Sequence, residues 1–354
     1  SLHDFNGVPA DLAEKVSTLA EAPGEIPKCA VMPSSTADLR RIVQALKLTR
    51  GPRIILGMGE WGFASRILAR RLGSMLSFVS AAGADSAAPG HLDPGTLSDL
   101  YRYRSIGENT RIFGVIGNPI MHSRSPQIHN PAYIRQELDA VYLPFRVDDL
   151  KEWFALCDEL PVEGFSVTVP HKEEVLPFID SRDEAVDATG ACNTVFRHKR
   201  GWSGANTDVE GFLKPLQELF GSGGLSGLGA TVIGAGGAAR AVVYALRRAG
   251  AQVLVLNRTL SKAKILAEQF DCASGGLIPG EYGRMKGYDD LIVQTTPVGM
   301  HPDIDLNPLP DYPWKGSEVA CDCIYLPGQT RFLSCADAAG CRTLNGEAML
   351  EEQG

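Results

Sequence analysis

The sequence predicts an α/β fold built mainly on parallel sheets, and three observations carry that expectation. Strand-sized apolar runs alternate with amphipathic helical stretches through most of the 354 residues. A Gly-x-Gly-x-x-Ala fingerprint stands between a strand and a helix at Gly234–Ala239. A Gly-rich joint at 221–229 (GSGGLSGLG) separates two regions of that same alternating texture.

Composition narrows the class. Hydrophobic residues make up 44% and charged residues 21%, the balance of a globular domain protein. Net charge is -8 and no segment concentrates Lys and Arg, which argues against nucleic acid as a partner. The longest apolar runs are strand-sized, so no membrane-spanning helix is expected. The opening Ser-Leu-His-Asp has neither the basic start nor the apolar core of a signal peptide. Eight scattered cysteines without a CxxC pair read as buried thiols in a reducing compartment. The seven histidines lack ligand spacing, so no metal site is expected.

Taken in order, residues 1 to about 104 read as strands at Cys29–Met32, Arg53–Leu56 and Met75–Val79. Helices are expected over Ala10–Ala20, Ser35–Leu48 and Glu60–Leu72, with caps available in Ser34-Ser35-Thr36. Gly83–Gly95 reads as a loop and Leu97–Tyr103 as a last helix. The second region opens with the strand Ile112–Gly117 and alternates strands and helices to about Leu219. The third runs from Ala230 to about Tyr325, and the tail Ala336–Gly354 reads as helical.

The fingerprint follows the strand Thr231–Ile233 and precedes a helix over Ala241–Ala249. Gly234 makes the tight turn, Gly236 lets a pyrophosphate approach the backbone, and Ala239 lets the helix pack on the strand. Ala235, Gly237 and Ala238 complete the phosphate loop, and the helix start faces the phosphates. At the end of the next strand, Val253–Leu256, an NAD site usually carries a carboxylate. This chain has Asn257-Arg258-Thr259 there, with Lys262 one turn on. A carboxylate would repel a ribose 2′-phosphate, whereas Arg258 attracts it. The expected cofactor is therefore NADP.

Two further polar turns carry chemistry. The apolar strand in Gly164–Lys172 (GFSVTVPHK) ends in a turn bearing Lys172. A second turn, Gly204–Asp208 (GANTD), bears Asp208. A lysine and an aspartate presented at strand ends can form a proton-transfer dyad, and a proton donor upstream of a nicotinamide site points to carbonyl–alcohol redox chemistry. Ser123 and Ser125 precede a helix and can form a small anion cradle, although Ser-x-Ser-Pro also serves as a plain helix cap.

Gly117–Asn130 (GNPIMHSRSPQIHN), Ser166–Lys172 (SVTVPHK), Gly190–Thr194 (GACNT), Gly204–Gly211 (GANTDVEG), Gly234–Ala241, Asn257–Thr259 and Thr295–Met300 (TTPVGM) occur in this order. Together they make residues 111–354 resemble shikimate dehydrogenase. The resemblance implies NADP-dependent reduction of 3-dehydroshikimate to shikimate. It implies that Ser123 and Ser125 hold the substrate carboxylate. Thr168, Lys172, Asn193, Asp208 and Gln353 would hold the ring hydroxyls and the reacting oxygen, with Asp208 orienting Lys172. Tyr325 would face the substrate, and Thr296 and Met300 would line the nicotinamide side. It also implies a substrate-binding domain over 105–225 and 326–354, a Rossmann domain over 226–325, and an active site in the cleft between them.

The first region carries a second resemblance. Ser1–Phe5 (SLHDF), Ile26–Pro33 (IPKCAVMP), Met58-Gly59, Ser65-Arg66, Gly73-Ser74 and Ala87–Gly90 (AAPG) make residues 1–104 resemble the C-terminal half of type I 3-dehydroquinate dehydratase. That family is a (β/α)8 barrel with a Schiff-base lysine. The resemblance implies that Lys28 forms the imine with 3-dehydroquinate, that His3 moves the protons, and that Arg66 binds the carboxylate. His91 stands where the pattern has Gln, which weakens the lid contact. A barrel needs roughly 200 residues, so the expectation is a half barrel whose first strands are truncated or come from a partner. The two activities would be consecutive, and the compartment would be the cytoplasm, or the plastid for a plant chain.

Two other functions fit parts of the pattern. A quinate dehydrogenase needs room beside the carboxylate for one more hydroxyl, and Ser123 and Thr168 favour shikimate. A non-catalytic repressor of the quinate pathway should have lost part of the chemistry, yet Lys172, Asp208 and the fingerprint are all present. The cofactor choice is directly testable. Arg258→Ala should weaken NADP by about tenfold or more, from loss of a charge-assisted contact, and leave NAD turnover nearly unchanged; steady-state kinetics with both nucleotides checks it.

Overall fold

The computed structural model describes residues 1–19, 22, 24–80, 92–199, 201–221 and 223–354. Their contacts gather into two units, Ser1–Ser181 with Thr194–Ser203, and Arg182–Asn193 with Gly204–Gly354.

The first unit contains two sheets. The N-terminal one is parallel, in the order β1 (Leu2–Asp4), β2 (Lys28–Val31), β3 (Ile54–Gly57). Helices α1 (Leu12–Thr18), α2 (Thr36–Leu48) and α3 (Phe63–Ile67) follow the three strands. Leu12, Val16, Ile42 and Leu46 bury the apolar faces of α1 and α2 against Cys29, Val31 and Ile55. Ser35 caps α2, its hydroxyl accepting from the Asp38 amide at 3.1 Å.

Three expected elements of this layer come out differently. Met75–Val79 is not a strand; Val79 makes only an isolated bridge to Leu92. The helix expected over Glu60–Leu72 is regular only as α3, because Gly59–Gly62 turns instead of winding. The expected Leu97–Tyr103 helix is a π-helical turn, Thr96–Leu100, and a 3-10 turn, Tyr103–Ser105. They are separated by Arg102, whose φ of 49° breaks any continuous helix.

The second sheet contains β4 (Arg111–Gly117), β5 (Ala140–Arg146), β6 (Val162–Val167), β7 (Ser181–Arg182), β8 (Thr194–His198) and β9 (Gly201–Ala205), in the order β5-β4-β6-β8-β9-β7. Strands β5, β4 and β6 run parallel, and β8 returns antiparallel to β6. Helices α4 (Ser125–Arg135) and α5 (Leu150–Glu159) make the crossovers. Phe145, Trp153, Phe154, Phe165 and Trp202 pack edge-on or tilted as one aromatic cluster.

The two sheets of this unit are joined by α2 against α5. Thr36, fully buried, donates its amide and hydroxyl to Asp148 Oδ1 at 2.9 and 2.7 Å. Arg40 reaches Glu152 at 3.0 Å and Glu159 at 2.7 Å. Those two carboxylates raise the Arg40 pKa further.

The second unit is built on a six-stranded parallel sheet. Its strands are β10 (Gly229–Ile233), β11 (Gln252–Asn257), β12 (Ala273–Gly276), β13 (Leu291–Gln294), β14 (Val319–Asp322) and β15 (Arg342–Leu344), in the order β12-β11-β10-β13-β14-β15. Around them lie α6 (Glu184–Thr189), α7 (Asp208–Phe220), α8 (Gly237–Arg248), α9 (Leu260–Gln269), α10 (Arg331–Ala338) and α11 (Glu347–Gln353). Every residue of β10 and β13 is buried, as a strand covered on both faces requires. The strand order reverses between β10 and β13, and ligands of such sheets bind at the carboxyl end of that switch point. The tail expected as one helix is interrupted by β15, which pairs with β14. Among the described residues no helix is long and apolar enough to cross a membrane.

Strand β5 is an edge, yet its outer backbone is not exposed for pairing. Asn130 of α4 accepts from the Tyr142 amide at 2.8 Å and donates to the Tyr142 carbonyl at 2.9 Å. Asn130→Ala leaves both groups buried and unsatisfied. It should lower stability by roughly 3 kcal/mol, read as a fall in the urea midpoint of the first unit's transition.

Candidate active site

The dinucleotide fingerprint is at the carboxyl end of β10, at the switch point. Gly234 has φ +119°, and a Cβ there would lie 2.3 Å from Thr295 Oγ1, so only glycine fits. A Cβ on Gly236 would meet nothing within 4 Å, which leaves open space beside the backbone where α8 begins. Ala239 is fully buried and lets α8 lie close on the sheet. Ala235 lies in the turn before the helix, and Gly237 and Ala238 are the first residues of α8. Asn257 ends β11 and donates from Nδ2 to the Thr259 carbonyl at 2.9 Å, shaping the loop that presents Arg258 and Thr259 to solvent. These residues fit a dinucleotide: an open cradle, a helix N-terminus and an exposed guanidinium where a 2′-phosphate would lie.

The loop after β13 carries Thr296 and Met300. It is held by Gln294, which is fully buried. Gln294 Oε1 accepts from the Thr296 amide and hydroxyl, both at 2.9 Å, and Nε2 donates to the carbonyls of Thr296 and Val298 at 3.1 and 2.9 Å. After β14, Asp322 does the same for the half-buried Tyr325. Its two oxygens accept from the Ile324 amide at 2.9 Å and the Thr330 hydroxyl at 2.7 Å.

A polar node in the same unit joins three more of the expected residues. Asn193 Nδ2 lies 2.9 Å from Asp208 Oδ1, 2.9 Å from Thr207 Oγ1 and 3.2 Å from Gln353 Oε1. Asn193 Oδ1 accepts from the Thr207 amide at 2.9 Å, and the Thr207 hydroxyl donates to the Gln353 carbonyl at 2.9 Å. Asp208 and Asn193 are buried, and Asp208 begins α7. The last helix can come this close because residue 211 is glycine; a Cβ there would lie 3.0 Å from Gln353 Cβ.

The first unit holds the remaining residues expected on the substrate side. Ser123 and Ser125 lie at the entry to α4, hydroxyl to hydroxyl at 3.2 Å, and the Ser125 amide donates to Ser123 Oγ at 3.3 Å. Beside them is Tyr142, whose phenol bonds Ser166 Oγ at 2.7 Å. Burial pushes its hydroxyl far up, and the hydroxyls of Ser166 and Ser125 pull weakly the other way. Thr168 and Lys172 flank the turn after β6 and are half-buried. That turn is fixed by bonds from the Thr168 amide to the Ile116 carbonyl and from the His171 amide to the Thr168 carbonyl, both 2.9 Å. Lys172 belongs to the first unit and Asp208 to the second.

In the N-terminal layer, His3 on β1 lies opposite Ala30 on β2, and Lys28 opens β2 two residues earlier on the same face. The Lys28 ammonium stands 4.1 Å from the Phe78 ring centroid. Arg66 is buried, donates from Nε to the Gly57 carbonyl at 2.7 Å, and is pushed down to about 10 by burial. His91 and the Ala87–Gly90 motif lie outside the described residues.

Sequence reasoning did not single out Thr207, Tyr142 or Gln294 as site residues. Gln294 had a readable signal, a lone amide closing the apolar run Leu291–Val293. Tyr142 had none, since aromatic residues in a strand are ordinary core.

A nucleotide-binding α/β protein with a polar substrate side is what this fold and these residues define. The family model for the shikimate dehydrogenase substrate binding domain matches residues 115–195, and the one for shikimate / quinate 5-dehydrogenase matches 216–279. The model for type I 3-dehydroquinase matches 1–134. The shikimate dehydrogenase (NADP(+)) of Bacillus licheniformis is 42% identical over 241 residues, covering 67% of this chain and 86% of that protein. The solved shikimate dehydrogenase of Aquifex aeolicus superposes with a TM-score of 0.64 at 37% identity, covering 70% of this chain and 91% of that one. A solved Thermus thermophilus enzyme, in complex with NADP(H) and shikimate, gives 0.60 at 36% identity, covering 69% and 90%. The chloroplastic bifunctional 3-dehydroquinate dehydratase/shikimate dehydrogenase of Arabidopsis thaliana is 33% identical over 371 residues. That match covers all of this chain, which spans 61% of that relative's length. The chain belongs to the shikimate dehydrogenase family.

Burial gives the Tyr325 loop a pH signature. It pushes the Asp322 carboxyl up to about 7, against the opposing pull of the hydrogen bonds from Thr330 and Ile324. An unfolded aspartate titrates near about 4, so between these values the folded chain holds the extra proton. Its contribution to stability is therefore fully present below about pH 4 and is lost as pH rises through about 7, by roughly 4 kcal/mol in all. Asp322→Asn should flatten that slope. Urea midpoints of parent and variant measured from pH 4 to 8 should converge at the acid end and separate, the variant higher, at the basic end.

Proposed function

We propose that the chain catalyses the NADP-dependent, reversible reduction of 3-dehydroshikimate to shikimate. The observation that carries this reading is the polar node in which buried Asn193 and Asp208 meet half-buried Thr207 and Gln353. Amide and carboxylate groups are gathered there at one end of the second unit, a costly arrangement for a protein with no polar ligand to hold. Such groups match a ring bearing several hydroxyls. The relatives named for this activity support the same reading.

When bound, NADPH supplies the hydride. The work of the chain is to bind, orient and protonate. Ser123 and Ser125 hold the substrate carboxylate through hydroxyls and the amide at the start of α4. Thr168, Asn193, Asp208 and Gln353 hold the ring oxygens, with Tyr325 against the substrate. Lys172 Nζ delivers a proton to the C3 oxygen as negative charge develops on it, and Asp208 is its partner in the dyad. Gly234–Ala238 and Asn257–Thr259 bind the pyrophosphate and 2′-phosphate, and Thr296 and Met300 border the nicotinamide.

The N-terminal layer supports a second activity, dehydration of 3-dehydroquinate through an imine at Lys28, with His3 moving protons and Arg66 on the carboxylate. We assign this to a longer assembly like the bifunctional relative, since three strands do not close a barrel. We divide the chain functionally into 1–104, 105–225 with 326–354, and 226–325. We place it in the cytoplasm, or the plastid if its source is a plant, acting on small molecules and not on nucleic acid.

The test is NADP reduction with shikimate and, separately, with quinate. Shikimate should be turned over far faster; equal or faster turnover of quinate reverses the substrate assignment, and no turnover of either removes the enzymatic reading. Lys172→Ala should cut kcat on the order of 100- to 10,000-fold while changing KM much less.

A further inference from the structure

The end of β5 carries a residue that none of these roles uses. Arg146 Nε donates to Asn118 Oδ1 at 2.9 Å. Its Nη1 pairs with Glu60 Oε2 at 2.9 Å, and its Cζ stands 4.9 Å from the Trp61 ring centroid. Glu60 and Trp61 lie in the turn after β3 of the N-terminal layer. Asn118 lies in the segment that leads from β4 to Ser123 and Ser125. One guanidinium therefore links the N-terminal layer to the loop that precedes the serine cradle.

The link continues past Asn118. Its amide donates to the Val169 carbonyl at 3.0 Å, between Thr168 and the Lys172 turn. The chain residue next to Arg146, Val147, donates its amide to the Gly117 carbonyl at 3.1 Å and bonds the buried His171 ring through its own carbonyl at 2.9 Å. The ends of β4, β5 and β6 are thus laced together at residues 117–118, 146–147 and 168–171. Among the described residues, the Asn118 carboxamide is fixed by the side-chain bond from Arg146 alone, and the far side of that guanidinium by Glu60 and Trp61.

We propose that Arg146 is a positioning residue for the dehydrogenase, and that the Glu60–Trp61 turn of the N-terminal layer sets the affinity for shikimate through it. This rests on the shikimate reading above. The clamp acts by removing rotational freedom. An arginine at a strand end has several rotamers, and only one puts Nε on Asn118. The Trp61 face and the Glu60 carboxylate select that rotamer by stacking and by a charge-assisted bond. Without them the Asn118 carboxamide loses a fixed partner, and the segment running to Ser123 and Ser125 samples more conformations before the substrate carboxylate arrives. The cost falls on substrate binding, since neither residue touches the reacting atoms. A lysine at 146 would keep the charge opposite Glu60 but has no Nε donor in a fixed plane, so it should not substitute.

The experiment uses the full chain at saturating NADP. The paired change Glu60→Gln with Trp61→Ala should raise the KM for shikimate by about five- to tenfold, the worth of one oriented hydrogen bond. Values of kcat and the KM for NADP should stay within about twofold. Arg146→Ala and Arg146→Lys should each give a similar rise, and adding Arg146→Ala to the paired change should add less than about twofold, because both break the same link. Arg40→Ala, which loosens the docking of α2 on α5 elsewhere, should leave the KM for shikimate within about twofold. An unchanged KM in the paired variant overturns the proposal, and so does an equal rise in Arg40→Ala, which would make the effect one of docking in general. If the parent chain turns over no shikimate, the functional reading fails on its own. The clamp is then judged by amide hydrogen exchange at Asn118, expected to quicken about tenfold in the paired variant as its bond to Val169 loosens; unchanged exchange there overturns it.

Discussion

The Asn193 carboxamide joins parts of the chain that are far apart in sequence. It brings the segment before β8, the start of α7 and the final turn of α11 to one point, separated by 15 and 160 residues along the chain. Its nitrogen has two protons facing three acceptors, and its oxygen takes the Thr207 amide, so both ends of the group are occupied. A substitution that removed either end would take one partner from the buried Asp208 carboxylate or the side-chain acceptor from the Thr207 amide. That dependence makes the position intolerant of change. It also makes the C-terminal helix part of the candidate site, though α11 is short and half-exposed.

The same device recurs at other strand ends. Apolar β13 and β14 are placed by burial, which fixes position but says nothing about the loops beyond them. Gln294 and Asp322, each fully buried, then fix those loops by bonding backbone amides two residues on. In the first unit the buried His171 ring instead bonds the Val147 carbonyl at 2.9 Å, tying the turn after β6 to the end of β5. The division of labour follows from the energies. Burial is large and non-directional, whereas a buried polar group is costly unless its partners are in one geometry. A site that needs several oriented side chains therefore relies on polar groups at the rim of the apolar sheet. Asp322 shows the cost of this arrangement, because its burial favours the proton even though two donors face it.

What could be read from the sequence divides along the same line. The fingerprint was legible because its glycines have separate uses: Gly234 answers a steric demand at φ +119°, and Gly236 leaves open space beside the backbone. The order of strands and helices was legible because apolar runs have a period. The α2 cap at Ser35 was legible from residue type alone. Helix length over Glu60–Leu72 was not, because the apolar pattern continues while Gly59 and Gly62 turn the chain. Met75–Val79 has strand composition but, among the described residues, no ladder partner beyond its bridge at Val79, and pairing is a tertiary property. Arg146 was invisible for a related reason. An arginine ending a strand is a solvated charge unless Asn118 and Trp61 arrive from elsewhere in the chain.

The N-terminal layer depends on both burial and oriented polar contacts. Three parallel strands with helices following them cannot close on themselves, and a layer so small has a modest core. Its docking compensates in part. Thr36 is fully buried and donates its amide and hydroxyl to Asp148, and Arg40 reaches two carboxylates of α5. Isolated surface pairs of this kind contribute little, but several converging on one helix face, around a buried hydroxyl, define an orientation. The layer is thus attached through polar contacts that fix geometry more than they add stability. That distinction matters for the neighbouring site. An attachment held only by apolar area could slide without consequence for the neighbouring site. One that ends on Arg146 carries the position of the Gly59–Gly62 turn into the segment that leads to Ser123 and Ser125.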